Sequence, residues 1–268
     1  MLLAVDVGNS TVSLGLARGG ALVATRRAAT DPRATPDDLD LELAGLLRLD
    51  GLDVDAGAIE AIALSSTVPE LGAAVEEIAR RRGIPCFTAS AGTIPIPVRV
   101  DHPEGVGPDR LVNAYAVAHL YGTPAVVIDC GTATTLDAVA LDGAFVGGAI
   151  APGLELGLDA LAARTARLPR VDVALPDSAI GTNTAAAIQA GAVLGHRVMI
   201  EGLLGRMRRD LANAAGIAPH EVRAVLTGGL ANLPWAHTVE GIDAVDPLLT
   251  LRGLVAVHRA VAGPEVER

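Results

Sequence analysis

The chain has 268 residues, enough for one large domain or two smaller ones, and half of these residues are hydrophobic. Its net charge of −10 argues against a nucleic-acid-binding surface, which needs a basic face, and no apolar run approaches the ~20 residues of a membrane span. The 21 lysine-plus-arginine residues are all arginine, which excludes both a Walker A loop and Schiff-base catalysis by lysine.

The chain opens on an apolar run that leads into an acidic, hydroxyl-rich turn. Residues 2–11 read LLAVDVGNST, where the apolar residues predict a strand and Gly8 permits a tight turn or close approach to a ligand. A carboxylate within such a strand, here Asp6, needs a cation or hydrogen bonds. The motif therefore indicates a metal and phosphate site, with a simple capped turn as the alternative. Because it begins at residue 2, we expect no signal peptide and a cytoplasmic protein.

The rest of the N-terminal half alternates between strand and helix patterns. Residues 1–25 are typical of a β-hairpin or meander that carries the first turn. The apolar spacing then predicts, in order, a helix over 39–49, a strand over 59–65 that ends in the hydroxyls of Ser65, Ser66 and Thr67, a helix over 70–82 capped by Gly83, and a strand over 85–88.

A loop rich in proline and glycine follows, over residues 93–107, and loops of this kind commonly carry function. It ends in Gly107, Pro108, Asp109 and Arg110, before a helix predicted over 111–120. In one interpretation the Arg110 guanidinium faces a bound anion. In the other, Asp109 caps the helix and Arg110 is solvated.

The acidic turn occurs a second time at residues 126–135, VVIDCGTATT. Aligning Asp6 with Asp129 gives an offset of 123 (129 − 6), at which Gly8 falls on Gly131 and Thr11 on Thr134. Such self-similarity predicts two related lobes whose acidic turns face a cleft that could hold a nucleotide's phosphates and a cation. We interpret Cys130, within this strand, as a small packed residue rather than a nucleophile.

The C-terminal half predicts a glycine-rich loop over 147–153, an extended connection over 169–184 and a long helix over 185–211. Four glycines of that helix favour close helix packing, within the chain or across a dimer. Two lobes are therefore expected, over residues 1–120 and 121–268. The remaining predictions are a helix over 154–166, a strand over 224–226 that ends in Thr227, Gly228 and Gly229, and a closing helix over 248–261.

The ordered motifs DVGNST, HPEGVGPDR, DCGTATT, GGAIAPGL, IGTNT, TGG and LTLRGL resemble the type III pantothenate kinase family. The resemblance covers nearly the whole chain. It implies an α/β fold of two ribonuclease H-like lobes, as in the actin-like ATPases, with an ATP cleft between them. It also implies transfer of the ATP γ-phosphate to pantothenate, the first step of coenzyme A synthesis, by a homodimer that uses Mg²⁺ and a monovalent cation, K⁺ or NH₄⁺.

Residue roles follow from the same resemblance. It implies that Asp109 is the base that accepts the proton of the pantothenate hydroxyl, and that neighbouring Arg110 helps to keep it ionised. It also implies that Asp129 holds the monovalent cation and that Asp6 reaches Mg²⁺ through water. ATP would contact Thr132 and the first loop, which comprises Asp6, Val7, Gly8, Asn9, Ser10, Thr11, Val12 and Ser13, and pantothenate would contact Val100, Gly107, Pro108, Asp109, Arg110 and Thr184.

Three positions depart from the family pattern: Val100 stands where tyrosine is usual, Pro108 where alanine is usual, and Ser10 where threonine is more common. None of these changes removes a proposed catalytic group, which favours the kinase. One alternative is a catalytically silent ATP-binding regulator, which we would expect to have lost Asp109 or Asp129. Another is a phosphohydrolase or a kinase of a related small hydroxy acid, and Val100 keeps this second alternative open.

Overall fold

The computed structural model of the chain describes residues 1–49, 51 and 57–262. Within these residues, ten strands form two mixed sheets of five strands each. The strands are β1 (Leu2–Val7), β2 (Thr11–Arg18), β3 (Ala21–Ala29), β4 (Ala61–Ser66), β5 (Cys86–Thr88), β6 (Ala125–Cys130), β7 (Ala133–Val139), β8 (Phe145–Pro152), β9 (Arg223–Thr227) and β10 (Ala244–Val245).

Seven α-helices accompany the strands in the described part of the chain. Three of them begin on a proline, whose missing N–H has no helical partner to lose at that position. None of the described helices combines the length and the apolar character that a bilayer-spanning helix requires. The helices are α1 (Pro36–Arg48), α2 (Pro69–Arg81), α3 (Pro108–Leu120), α4 (Leu154–Arg164), α5 (Thr184–Gln189), α6 (Gly195–Ala215) and α7 (Leu249–Ala262).

The two sheets have the same topology. The strand order of the first sheet is β3-β2-β1-β4-β5. Written from its antiparallel end, the second sheet has the order β8-β7-β6-β9-β10, so β8 is the counterpart of β3. In each sheet the first three strands pair antiparallel and the last two are added in parallel. This repetition confirms the predicted duplication and the α/β fold of two ribonuclease H-like lobes.

The chain divides into two compact units. The first unit is Met1–Ala116 together with Thr250–Arg268, and the second unit is Val117–Leu249. The lobes predicted over 1–120 and 121–268 differ from these units at their common boundary and in the last helix, α7, which groups with the first unit. Because α7 follows the second sheet in sequence, linear order alone could not assign it to the first.

The strand register refines the alignment of the two copies. Asp6 and Asp129 correspond at the predicted offset of 123, but Val7 pairs with Val12 across the first turn, whereas Cys130 pairs with Thr134 across the second. The second turn is therefore one residue shorter, and Thr11 corresponds to Ala133 at an offset of 122 (133 − 11) rather than to Thr134. Each hairpin has a β-bulge at the matching position, after Leu16 and after Ala138, which supports the same shift.

The long helix predicted over 185–211 is interrupted. A π-helical turn at Ala190–Leu194 separates α5 from α6, and such turns occur frequently at functional sites. A Cβ added at Gly191, Gly195 or Gly202 would meet no atom within 4 Å. These glycines therefore do not provide close helix packing within the chain, and the packing across a dimer stays a prediction.

In the first unit the two faces of the sheet have different roles. One face, with Leu3, Val5 and Val7 of β1, belongs to the hydrophobic core that includes residues of α1 and α2. On the opposite face, Gly15 of β2 lies against Leu251 of α7, whose Cδ1 would be 3.3 Å from an added Cβ. Because side chains alternate along a strand, this second face is also the one that carries Asp6.

Candidate functional site

In the first unit, Asp6 lies in a row of hydroxyl side chains. It pairs with Ser13 on antiparallel β2 and with Ser65 on parallel β4, and directly paired residues point to the same face of a sheet. Ser65 is fully buried, and its Oγ has no hydrogen-bond partner. A buried hydroxyl without a partner, beside a half-buried carboxylate, fits a polar ligand or a hydrated cation at this point.

The second unit repeats this row around Asp129. Its partners are Thr135 on antiparallel β7 and Thr227 on parallel β9. Thr135 donates a hydrogen bond of 2.9 Å to Asp137, which is fully buried. The sequence indicates that Ser65 could face the cleft, that Thr135 lines the acidic turn and that Thr227 begins a turn near the nucleotide. Their pairing with the two acids depends on strand register and is visible only in the structure. Ser65 and Thr227 share one sequence signal, a hydroxyl at the end of a predicted strand.

The turn after β1 is held by hydrogen bonds from two other segments. The N–H of Gly8 donates to the carbonyl of Thr11 at 3.0 Å, and the Thr30 hydroxyl donates to the carbonyl of Gly8 at 2.7 Å. The N–H of Thr67 donates to the carbonyl of Val7 at 2.9 Å.

The residues predicted to contact ATP in this loop differ in exposure. Val7 and Val12 have their side chains in the core, so only their backbone atoms can contact ATP. Asn9 and Ser10 are exposed at the tip, and Thr11 and Ser13 are half-buried.

The turn after β6 is held in a comparable way. The N–H of Gly131 donates to the carbonyl of Ala133 at 3.0 Å, and the N–H of Gly153 donates to the carbonyl of Thr132 at 3.0 Å. An added Cβ at Gly153 would overlap the carbonyl oxygens of Gly131 and Thr132. Glycine is therefore required where the chain enters α4, and it holds the exposed Thr132 in place.

The Asp129 carboxylate has a second glycine beside it. Gly228, with φ of +97°, allows the chain after β9 to pass so close that an added Cβ would overlap Asp129 Oδ1 and lie 2.6 Å from the N and O atoms of Cys130. Among the described residues there is no cluster of three or more His, Cys, Asp or Glu side chains that could hold a metal ion. Beside Gly228, the Asp129 carboxylate and the backbone oxygen of Cys130 therefore lie close together, and both are oxygen ligands of the kind that hard cations prefer.

Cys130 itself is buried and inert. Its side chain has no exposed surface. Burial, together with the neighbouring Asp129 charge, raises the pKa of the Cys130 thiol to about 12, so the nucleophilic thiolate is not formed at neutral pH. This agrees with the sequence-based interpretation of Cys130 as a packed residue.

Asp109 occupies the first turn of α3. The helix starts at Pro108, so Asp109 lies inside its first turn rather than at the N-cap position. The side chain folds back over Gly107, where an added Cβ would lie 2.5 Å from Asp109 Oδ1. This oxygen is buried and has no hydrogen-bond partner. A side chain at position 107 would therefore displace the Asp109 carboxylate from this position.

Burial raises the pKa of the Asp109 carboxyl, although the adjacent backbone N–H of Arg110 and its guanidinium charge lower it. Arg110 was expected to keep Asp109 ionised. Arg110 does lower the pKa of Asp109, but loss of water around the buried carboxylate raises it by more. The net shift of the Asp109 pKa is therefore upward. A carboxylate with a raised pKa accepts a proton more readily than an exposed one.

Helix α3 is fixed in the first unit by α7. An added Cβ at Gly253 would lie 2.7 Å from Val112 Cγ1 and 2.8 Å from the Val112 carbonyl oxygen, so the two helices approach closely there. The Thr250 hydroxyl donates a hydrogen bond of 2.8 Å to Asn113 Oδ1, which is buried. Since α7 lies on the sheet face that carries Asp6, α3 and its N-terminal Asp109 belong to that side of the sheet as well.

The remaining predicted substrate contacts lie in different parts of the chain. Val100 is half-buried in the loop before α3, and Arg110 is half-buried in the first turn of α3. Thr184 is the exposed first residue of α5 in the second unit, directly after the N-cap residue Asn183. The first unit thus contains the residues predicted around Asp6 and Asp109, and the second contains Asp129, Thr132 and Thr184.

Comparison with known sequences gives a consistent result. A family model described as type III pantothenate kinase matches residues 2–206. Curated relatives with that description are 41% identical to this chain in Streptomyces coelicolor and 42% identical in Moorella thermoacetica. These alignments span 96% of this chain and, respectively, 97% and 98% of the relatives.

Solved structures resemble the chain in fold. A protein from Campylobacter jejuni described as a Baf family transcriptional activator matches with a TM-score of 0.59 at 18% identity, over 96% of this chain and 98% of that chain. Component A of the (R)-2-hydroxyglutaryl-CoA dehydratase of Acidaminococcus fermentans matches with a TM-score of 0.51 at 14% identity, over 98% and 99% of the two chains. At such identities, these similarities establish the two-lobed α/β architecture and nothing further.

Proposed function

Since the chain belongs to the type III pantothenate kinase family, we propose that it transfers the γ-phosphate of ATP to the hydroxyl of pantothenate, with Asp109 as the general base. The product is 4′-phosphopantothenate, and the reaction is the first step of coenzyme A synthesis. We place the enzyme in the cytoplasm, where ATP is available. The observation that carries the proposed role of Asp109 is its buried Oδ1, which has no hydrogen-bond partner.

In this mechanism the pantothenate hydroxyl donates a hydrogen bond to Asp109 Oδ1. As the hydroxyl oxygen bonds to the γ-phosphorus and the bond from phosphorus to the β-γ bridging oxygen breaks, the proton passes to Asp109. Phosphoryl transfer depends mainly on positioning and on stabilisation of charge, so a single well-placed carboxylate suffices as the base. The raised pKa of Asp109 supports this role, because it brings the carboxyl nearer to the pH at which proton transfer is efficient.

ATP is proposed to bind the residues of the first loop, Asp6 to Ser13, and Thr132. Backbone N–H groups and hydroxyls at the two tight turns supply hydrogen bonds to phosphate oxygens, and arginine supplies positive charge in a chain without lysine. Asp6 would hold Mg²⁺ through water, in keeping with the unpartnered Ser65 hydroxyl beside it. When bound, Mg²⁺ neutralises charge on the phosphate oxygens.

Asp129 is proposed to hold the monovalent cation, K⁺ or NH₄⁺. The support is the single carboxylate with nearby backbone oxygens, which the two glycines Gly131 and Gly228 leave uncovered by side chains. When bound, the cation would supply positive charge at Asp129. Pantothenate is proposed to contact Val100, Gly107, Pro108, Arg110 and Thr184, in addition to Asp109.

The test is ATP-dependent formation of phosphopantothenate by the purified protein, detected by mass spectrometry, with K⁺, NH₄⁺ or Na⁺ as the monovalent ion. We expect turnover with K⁺ or NH₄⁺ and little with the smaller Na⁺. Asp129→Asn is expected to lower kcat by at least about tenfold and to remove the difference between K⁺ and Na⁺, because a neutral amide holds a cation less well. Asp172→Asn, at an exposed residue of the same unit, serves as the control and should behave as wild type.

Turnover that does not depend on the monovalent ion would contradict the role of Asp129. A folded, ATP-binding protein without turnover on pantothenate would contradict the proposed reaction. Val100 favours one second candidate, a kinase of a related small hydroxy acid, because valine lacks the hydroxyl and the ring of the usual tyrosine. Other hydroxy acids should therefore be tested in the same assay.

We also propose that the protein is a homodimer that associates through the second unit. A cavity of about 430 Å³ lies beside the π-helical turn, and Gly157, Gly191 and Gly195 line it without filling it. Large apolar side chains in the same unit are also exposed and are available for contact with a second copy. These exposed residues include Val146, Ile150, Leu156, Leu161, Leu175, Ile180 and Val198.

Sedimentation or light scattering should give twice the chain mass for the wild type. We expect Gly191→Leu to shift this equilibrium towards monomer, since the new side chain would occupy the surface where the partner packs, whereas the space around Gly191 allows the monomer to fold. Gly45→Leu in α1, which also has open space, is the matched control. A monomeric wild type, or a dimer equally unaffected by both changes, would contradict this interface.

A further inference from the structure

The first unit has a cationic side chain, Arg27, in the same register row as Asp6. In a chain without lysine, arginine must supply any side-chain cation that contacts phosphate. Many arginines of the described residues are instead paired with acids, including Arg33, Arg81, Arg82, Arg170, Arg197 and Arg208. Arg27 differs from them: it is exposed on β3 and has no hydrogen-bond or ion-pair partner among the described residues.

The strand register places Arg27 in the same row as Asp6. Arg27 pairs directly with Ser13, Ser13 pairs with Asp6, and Asp6 pairs with Ser65, so the four residues share one face across β3, β2, β1 and β4. Neighbouring strands are about 4.8 Å apart, which puts the Arg27 backbone roughly 10 Å from that of Asp6. A long arginine side chain can therefore bring its guanidinium over Ser13, towards a phosphate held above Asp6.

Neither the strand neighbours of Arg27 on β3 nor helix α7 supplies an acidic partner for its charge. Its neighbours on the same face of β3 are Thr25 and Ala29, which are uncharged, and α7, on this side of the sheet, contains no acidic residue. The equivalent position in the second sheet is Ile150, which pairs with Thr135. The two rows thus differ in charge at this position, and the cation is found only in the row of the unit that contains Asp109.

We propose that Arg27 binds the γ-phosphate of ATP and stabilises the charge that develops on its oxygens during transfer. The inference rests on the proposed kinase function and adds a residue to it. A planar guanidinium donates two parallel hydrogen bonds to phosphate oxygens, and it remains protonated throughout the reaction, so it gains and loses no proton. Arg27 is then the side-chain cation of the Asp6 row, while Asp6 would hold Mg²⁺ through water.

Arg27→Gln tests this assignment. We expect kcat to fall by about 10²- to 10³-fold, as for the loss of one preorganised donor to a transition-state oxygen, with little change in the KM for pantothenate. The affinity for a non-hydrolysable ATP analogue should fall by about 10- to 100-fold, because a hydrogen bond to a charged group is lost, while ADP affinity stays the same. Arg27→Lys keeps the charge without the bidentate geometry, so its kcat should be intermediate.

The matched control is Arg26→Gln, which removes the same charge from the adjacent residue on the opposite face of β3. Thermal unfolding of each variant separates loss of fold from loss of contact. The proposal is overturned if Arg27→Gln behaves as Arg26→Gln, or if it weakens ADP and the ATP analogue equally. If the wild type makes no phosphopantothenate, the proposed reaction is contradicted. The role of Arg27 is then still tested by binding, because Arg27→Gln should weaken the ATP analogue and not ADP.

Discussion

Asp109→Asn is expected to lower kcat by about 10²- to 10⁴-fold, the usual contribution of a general base. Asparagine is nearly the same size and keeps the hydrogen-bonding shape of the side chain, but its amide cannot take the proton of the pantothenate hydroxyl. Asp101→Asn, at an exposed residue of the preceding loop, is the matched control and should retain activity. Steady-state kinetics with saturating ATP measures both variants.

The same substitution should leave the protein as stable as the wild type at neutral pH, or more stable. Because burial raises the pKa of Asp109 in the folded state, the ionised form is disfavoured there relative to the unfolded chain. The group's favourable contribution to folding is complete below the unfolded-state pKa of about 3.9 and is lost as pH rises through the higher folded-state pKa. Asparagine does not ionise, so its advantage should be largest above that folded-state pKa and disappear in acid.

Denaturant unfolding at several pH values measures this difference in stability. The kinetic counterpart is that wild-type kcat/KM should decline as pH is lowered through the raised pKa of Asp109, above the usual aspartate range. An Asp109→Asn protein that is inactive because it is unfolded would contradict the stability prediction. A folded variant with wild-type kcat would contradict the proposed role of Asp109 as the base.

Gly228→Ala is expected to destabilise the second unit by about 3 kcal/mol or more. A non-glycine residue at a positive φ costs roughly 1–2 kcal/mol, and forcing a side chain into a packed site adds about 1–3 kcal/mol. At Gly228 both apply, because φ is +97° and the new Cβ would overlap Asp129 Oδ1 and the backbone of Cys130. Any protein that folds should also respond weakly to the monovalent cation, since the Asp129 carboxylate must move.

Gly216→Ala separates the two causes. Gly216 follows α6 with φ of +69°, but a Cβ there would meet no atom within 4 Å, so only the backbone cost of about 1–2 kcal/mol is expected. Urea unfolding of the two variants and the wild type gives the comparison. Equal destabilisation by both substitutions would show that contact with Asp129 and Cys130 is not the reason for glycine at position 228.

Much of the secondary structure could be predicted because its signals are local. The helices α1, α2 and α7 and the strands β4 and β9 lie within a few residues of the predicted ranges, since apolar spacing and glycine or proline at the ends specify them. The two-residue strand β10 was missed, because so short a segment has no periodicity. The π-helical turn between α5 and α6 was also missed, because the apolar and glycine spacing there reads as a continuous helix.

The sequence by itself determined the two acidic turns, the duplication that relates them and the loop that ends in Asp109, because each is a contiguous run of residues. Only the tertiary structure decided which residues accompany them. Ser65, Thr227 and Arg27 lie on strands distant in sequence from the acids of their rows, and strand register brings them into line. Likewise the direction of the Asp109 pKa shift depends on how deeply folding buries the carboxylate, and desolvation outweighs the neighbouring Arg110, which the sequence already displays.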